Sequence, residues 1–239
     1  MKILFIPKKQ TMLSASSILL VDASNPAKVY LYDHDTNIST LLSIPGITGL
    51  SSDIAHTANK LWLYTSGGIG EWNITFNPFT AVFNRSITGV YPTAGLGAKN
   101  DTKIISGAYL EYDITTILAT ISATFSSGMA GRHIAGDIIL TTNNKVIVTF
   151  TKDDYTQSWI SQFSYPDGAL ELDIDITAQC PSPYGIYQYN DQIFIAQPDG
   201  SIYNIDIHSP YNLTLINMAS HSINGASQIP SFLTTSLIP

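Results

Sequence analysis

Apolar residues along this chain come in short runs broken by Gly, Pro, Asn and Asp, and nowhere do they recur at the roughly 3.6-residue spacing of a helix. The stretch KLWLYTSGGIGEWNI, residues 60 to 74, shows the unit. Apolar and aromatic residues run from Leu61 to Tyr64, Gly67 and Gly68 supply a turn, and a second run follows from Ile69 to Ile74, which predicts a β-hairpin. The pattern recurs in KIISGAYLEYDIT at 103 to 115 and in QIFIAQPDGSIYNIDI at 192 to 207. A longer connection interrupts it at 145 to 165, and a fifth copy occupies 18 to 33. Each hairpin is followed by a polar turn and another β-branched run, such as TAVFNRSIT at 80 to 88 or ALELDIDIT at 169 to 177. Each is preceded by a Gly-containing bend and a short run, as in GLSSDIAHT at 49 to 57 and SPYGIYQYN at 182 to 190.

From Gly49 to Gly225 the chain spans 176 residues holding four such units, or 44 each. Four strands per unit at this period predict the blades of a β-propeller. A blade is covered on both faces by its neighbours, so its middle strands should be apolar throughout instead of alternating, as in KLWLY and KVIV. The expected fold is all-β: a five-bladed propeller of four-stranded antiparallel blades, with six blades as the alternative. The N- and C-terminal segments share one blade and so close the ring, which removes exposed edges within the array. A single domain over residues 1 to 239 is expected, with blades at about 14 to 48 plus 226 to 239, 49 to 88, 89 to 130, 131 to 177, and 178 to 225. SQIPSFLTT near the C-terminus matches the innermost strand missing from the first blade, and residues 1 to 13 are surplus, a candidate docking arm.

The segment DIAHTANKLWLYTSGGIGEWNITFNPFTAVFNR, residues 53 to 85, and its echo at 185 to 207 resemble the YVTN and NHL class of propeller repeats. The shared features are a small-residue bend, a strand, a Gly or Asp-Gly turn, and a strand with an acidic or Asn residue beside an aromatic. The likeness covers nearly the whole chain as a repeat, and implies fold more than function. Residues 53 to 85 are also similar to repeats in uncharacterised propeller-like proteins of tailed bacteriophages, which implies a virion setting.

Composition narrows the function. Charged residues make up only 12% of the chain and apolar residues 44%, so Ser, Thr, Asn and Gln must supply the polar surface, one suited to contact. A net charge of -7 with two arginines, Arg85 and Arg132, leaves no basic stripe for phosphates, so nucleic acid is not an expected partner. The apolar run in MKILFIPKKQ is too short for a secretory leader or a membrane span, and neither export nor membrane insertion is expected. Cys180 is the only cysteine, which excludes an internal disulfide, and it reads as a small packing residue.

Candidate chemistry is sparse. Glu71 and Glu111 stand at the same repeat position, just before Trp72 and Tyr112, which argues that they serve the blade. Asp33, His34 and Asp35 are the densest potential metal cluster, yet neighbouring strand residues face opposite ways and a self-bonded turn is the simpler reading. Asp53, His56 and His133 lie on expected innermost strands, where side chains from different blades could converge on the central channel. Tyr32, Trp72, Tyr112, Trp159 and Tyr203 occupy the same strand of each unit, as core packing requires, and Trp62 packs beside them. Tyr184 and Tyr187, in an inter-blade entry segment, remain candidates for stacking on a ligand.

The expectation is therefore a non-enzymatic interaction or scaffold propeller with no catalytic residues, metal or cofactor. Its expected place is a virion, as a fibre, decoration or tail-associated protein, with the cytoplasm as the alternative. Its partners would be other assembly proteins and a glycan or host receptor, with ligand contacts at Tyr184, Tyr187, Asp53, His56 and His133. A glycan-binding lectin and a channel-sited hydrolase or lactonase are the alternatives.

Overall fold

The computed structural model describes residues 18–228 apart from 23, 52, 66–67, 77, 91–94, 108–109, 125–130, 142, 191 and 207–210. The proposed arm at 1 to 13 and the run from 229 onward lie outside the described residues. Every described element is a strand. In chain order they are β1 (Ile18–Val21), β2 (Val29–Asp33), β3 (Ile38–Leu41), β4 (Ile54–His56), β5 (Lys60–Thr65), β6 (Gly68–Phe76), β7 (Phe79–Ile87), β8 (Leu96–Asn100), β9 (Lys103–Ser106), β10 (Leu110–Asp113), β11 (Thr120–Thr124), β12 (Arg132–Leu140), β13 (Lys145–Lys152), β14 (Ser158–Ser164), β15 (Leu170–Asp175), β16 (Gly185–Tyr189), β17 (Gln192–Ala196), β18 (Ser201–Asp206), β19 (Asn212–Met218) and β20 (Gly225–Gln228).

They form five four-stranded antiparallel sheets, ordered β20-β1-β2-β3, β4 to β7, β8 to β11, β12 to β15, and β16 to β19, which we number blades 1 to 5. The innermost strands touch in the sequence β4, β8, β12, β16, β20 and back to β4, closing a five-bladed propeller. The C-terminal β20 supplies the innermost strand of blade 1, paired antiparallel with β1 from Ile18↔Gln228 to Val21↔Gly225. The terminal segments thus share a blade as the repeat predicts, and the described closing strand is GASQ, whose Ser227 and Gln228 begin the SQIPSFLTT run.

The core is divided among the five blade interfaces, and strand alternation does the dividing. On β1, Ile18 and Leu20 pack toward blade 5 while Leu19 and Val21 pack toward blade 2. On β5, Leu61 and Leu63 face blade 1 while Trp62 and Tyr64 face blade 3. Because both faces are covered, these strands are fully buried and read as unbroken apolar runs. Tyr32, Trp72, Tyr112, Trp159 and Tyr203 each sit on the third strand of their blade, the equivalent placement expected from the repeat. Trp62 and Trp72 have no exposed surface and lie on opposite faces of blade 2. The indole N–H of Trp62 donates to Glu71 Oε2 at 3.1 Å and that of Trp72 to the Pro45 carbonyl at 2.7 Å, so both polar handles are satisfied.

The five innermost strands start on one face of the disc. That upper face also carries the turns between second and third strands, because consecutive strands are antiparallel.

Candidate functional site

Sequence places the candidates at the ring axis, and the structure brings the inner strands close together around it. Around the ring, small residues meet the next blade at near backbone contact. A Cβ on Gly97 of β8 would lie 2.7 Å from the Ile138 carbonyl oxygen of β12, and one on Gly136 of β12 would lie 2.5 Å from the Tyr184 carbonyl oxygen. One on Gly185 of β16 would meet the Ala226 Cβ of β20 at 3.1 Å, and one on Gly225 would meet the Asp53 Cα at 3.1 Å. Only glycine lets inner strands approach this closely. The β12–β13 register also breaks between Ile134 and Ile138, forming a bulge at residues 135 to 137. From this bulge the Asp137 carboxylate accepts the backbone N–H of Ala226. Blade 4 thereby bonds blade 1 across the axis, past the intervening blade 5, and β12 touches β20 directly.

Asp53 and His56 reach this region from one short segment and then diverge. Asp53 is fully buried, and its Oδ1 accepts the Ile54 N–H at 2.8 Å. Burial pushes its carboxyl well above the usual range despite bonds from the N–H groups of Ile54, Gly95 and Leu96. His56 turns instead toward blade 1, where its Nδ1 lies 2.8 Å from Ser227 Oγ and its backbone N–H donates to the same oxygen at 3.0 Å. Burial alone pulls its imidazole down to about 3, which keeps it neutral. The Asp53 Oδ2, His56 Nε2 and Asp137 Oδ1 atoms are all buried and without a hydrogen-bond partner among the described residues.

The other candidates do not join them. His133 opens β12 at the upper face, where its Nε2 lies 2.8 Å from Thr151 Oγ1 and its Nδ1 lies 3.4 Å from Asp153 Oδ1. Asp53, His56 and His133 each bond a different partner, the Ile54 N–H, Ser227 and Thr151 respectively. Tyr187 is 1% exposed, stacks on Phe194 at 5.3 Å, and places its hydroxyl 3.1 Å from His34 Nδ1 in the seam between blades 5 and 1. Burial puts Tyr187 and His56 out of a ligand's reach, a correction to their candidacy as contact residues.

Tyr184 remains half-buried on the upper face, its phenol raised by burial and by neighbouring Tyr155. Tyr155 is 62% exposed, held at a φ of 58° in the β13–β14 turn, with its ring edge-to-face with His133 at 5.2 Å. Tyr184, Tyr155, His133 and Asp153 thus make an aromatic and polar patch where blades 4 and 5 meet. Sequence reasoning missed Tyr155, since its partner His133 is distant in the chain and its own neighbours only signal a loop.

The remaining polar groups are structural. Glu71 has no exposed side-chain surface and accepts Lys60 Nζ, Arg85 Nη2 and the Trp62 indole, each at 3.1 Å, with Asn84 also bonded. Burial raises its carboxyl, but the Arg85, Asn84, Trp62 and Lys60 bonds outweigh that and hold it below its usual range. Glu111 repeats the arrangement with Lys99 at 2.6 Å, Lys103 at 2.8 Å, Ser122 at 2.8 Å, and Tyr165. Burial is again outweighed, here by Lys103, Lys99, Tyr165 and Ser122, and the carboxyl falls to about 2. Asp33 Oδ1 accepts the N–H groups of Asp35 and Thr36, as a self-bonded turn should. Cys180 is buried in the blade 4–5 core, with its thiol pushed up by burial. Among the described residues no three His, Cys, Asp or Glu side chains converge as a metal site, and no helix is long and apolar enough to cross a membrane.

Comparison with known proteins adds the fold's company. No family profile and no curated protein matches the chain. Among solved structures it is similar to a Bacteroides caccae protein of unknown function, at 13% identity and a TM-score of 0.46 over 84% of this chain and 73% of that one. It is similar to the β-propeller domain of Cps50 from Myceliophteria thermophila, at 10% identity and a TM-score of 0.48 over 84% of this chain and 68% of that one. A quinoprotein alcohol dehydrogenase-like protein from Bacteroides thetaiotaomicron is matched at 18% identity and a TM-score of 0.37, over 69% of this chain and 44% of that one. The chain is a propeller-type protein.

Proposed function

We propose that this propeller is a non-enzymatic scaffold that holds neighbouring proteins by its rim. The observation that carries the reading is the apolar belt on the outermost strands. Val82 is 62% exposed, Ile38 58%, Ile121 57% and Met218 52%, and Leu41, Phe83 and Leu215 accompany them. Large apolar side chains gathered on water-facing edges mark contact surfaces. The setting we propose is a virion, as a fibre, decoration or tail-associated protein, supported by the likeness of residues 53 to 85 to tailed-phage propeller repeats. Immunodetection in purified particles tests the setting. Val82→Glu with Ile38→Lys tests the rim: incorporation should fall while the melting temperature holds, and unchanged incorporation would refute the rim contact.

A second reading rests on Tyr155. An exposed tyrosine fixed edge-on by His133, beside Tyr184 and Asp153, is suited to stacking on a sugar ring. Glycan-array binding that Tyr155→Ala abolishes would support it, and an array without signal would remove it.

A further inference from the structure

The axial carboxylates serve neither the rim nor the upper-face patch. Asp53 of blade 2 is 0% exposed and Asp137 of blade 4 is 2% exposed, and both attend the amino-terminal end of β20. Asp137 Oδ2 accepts the Ala226 N–H, while Asp53 Oδ1 lies 3.3 Å from where a Cβ on Gly225 would sit. Each carboxylate thus spends one oxygen on backbone N–H groups, and the second, Asp53 Oδ2 or Asp137 Oδ1, is buried with no donor among the described residues. No lysine or arginine pairs with either among those residues. A buried anionic oxygen without a donor is costly, and a proton or a cation relieves it.

We propose that Asp53 and Asp137 hold one hard divalent cation of calcium type on the ring axis, fastening the closing strand to blades 2 and 4. Both orphaned carboxylate atoms are oxygens. The carbonyls of Gly136 and Tyr184 lie at the same end of the axis, against Gly95 and Gly136 respectively. Carboxylate, carbonyl and water oxygens suit calcium, whose coordination is flexible.

The full chain, stripped with EDTA and desalted, is titrated with calcium chloride and magnesium chloride by calorimetry and thermal melting, with elemental analysis of the reloaded protein. One calcium per chain is expected, with a melting temperature roughly 5–10 °C higher at a hundredfold excess over Kd. Asp53→Asn and Asp137→Asn should each abolish this rise, while the exposed Asp167→Asn should keep it. An unchanged melting temperature with no retained metal overturns the proposal. So does calcium bound equally by both axial variants, or an Asp53→Asn variant that melts higher regardless of calcium, the mark of a shared proton. If the axial variants do not fold, stoichiometry and melting shift of the unmodified chain decide, with anomalous scattering to locate the ion.

Discussion

Acidification should loosen the ring at His56. The imidazole is fully buried between blades 1 and 2, bonded through Nδ1 to Ser227 of the closing strand, with no charged neighbour to favour a second proton. Its folded-state pKa of about 3 stands below the ordinary 6.5, so the unfolded chain binds the proton first. Stability from this residue is therefore complete above about pH 6.5 and is lost as pH falls from there toward 3. At pH 5 the gap is about 1.5 pH units, which at 1.36 kcal/mol per unit costs about 2 kcal/mol relative to pH 7.5. For a chain of this size that is a melting temperature lower by about 4–8 °C. His56→Asn keeps an amide near the Ser227 hydroxyl but cannot titrate, so it should start less stable and respond less to pH. Urea unfolding of both chains at pH 7.5, 6.5, 5.5 and 5 gives the difference in slope, from which other titrating groups cancel. Equal slopes, or a His56 titration near 6.5 by NMR in the native chain, would refute the reasoning.

Two further substitutions probe the blades. Trp72→Ala removes a fully buried indole between blades 1 and 2 and should cost about 3–5 kcal/mol in urea unfolding, with Trp72→Phe retaining much of the loss. Lost ligand binding at an unchanged melting temperature would contradict the packing role. Glu71→Gln removes the charge and replaces one of the two oxygens shared by Lys60, Arg85 and the Trp62 indole with an amide donor, and should cost about 1.5–3 kcal/mol, measured the same way.

What could be read in the chain was local, and what could not was set by distant parts meeting. The hairpin at 60 to 74 carries its own turn, its own apolar faces and its own aromatic, so blade 2 was legible from its residues. The equivalence of Glu71 and Glu111 followed from the repeat, and their cation networks bear out a structural role. The closing strand begins at Gly225, one residue before the expected 226, because an innermost strand is selected for smallness: Gly225 and Ala226 fit against Asp53 and Gly185, and GASQ has no β-branched residue to announce it. Asp137 gave no signal, since a lone Asp inside RHIAGDIIL reads as a break in a strand; its role needs a bulge that brings it to residue 226. His56 and His133 were rightly placed on innermost strands but wrongly made to converge, because position along a strand does not say which side chains the next blade will claim.

The closing strand concentrates these dependencies, which makes its removal the most discriminating perturbation. β20 is only four residues long, yet it pairs with β1, packs Ala226 against Gly185 of blade 5, gives Ser227 to His56 of blade 2, and offers its Ala226 N–H to Asp137 of blade 4. A chain ending at Asn224 would leave the free edge of β1 open to water and strip partners from three other blades at once. Ring closure then lacks its last interface, and a repeat array whose stability resides in interfaces should unfold at lower urea with a shallower transition. A synthetic peptide of residues 225–239 should restore the native transition in trans by strand addition, saturably, while a peptide with Ala226→Pro, which lacks the N–H that Asp137 accepts, should not. A truncated chain that unfolds at the native urea midpoint with native steepness would show that the ring closes without β20.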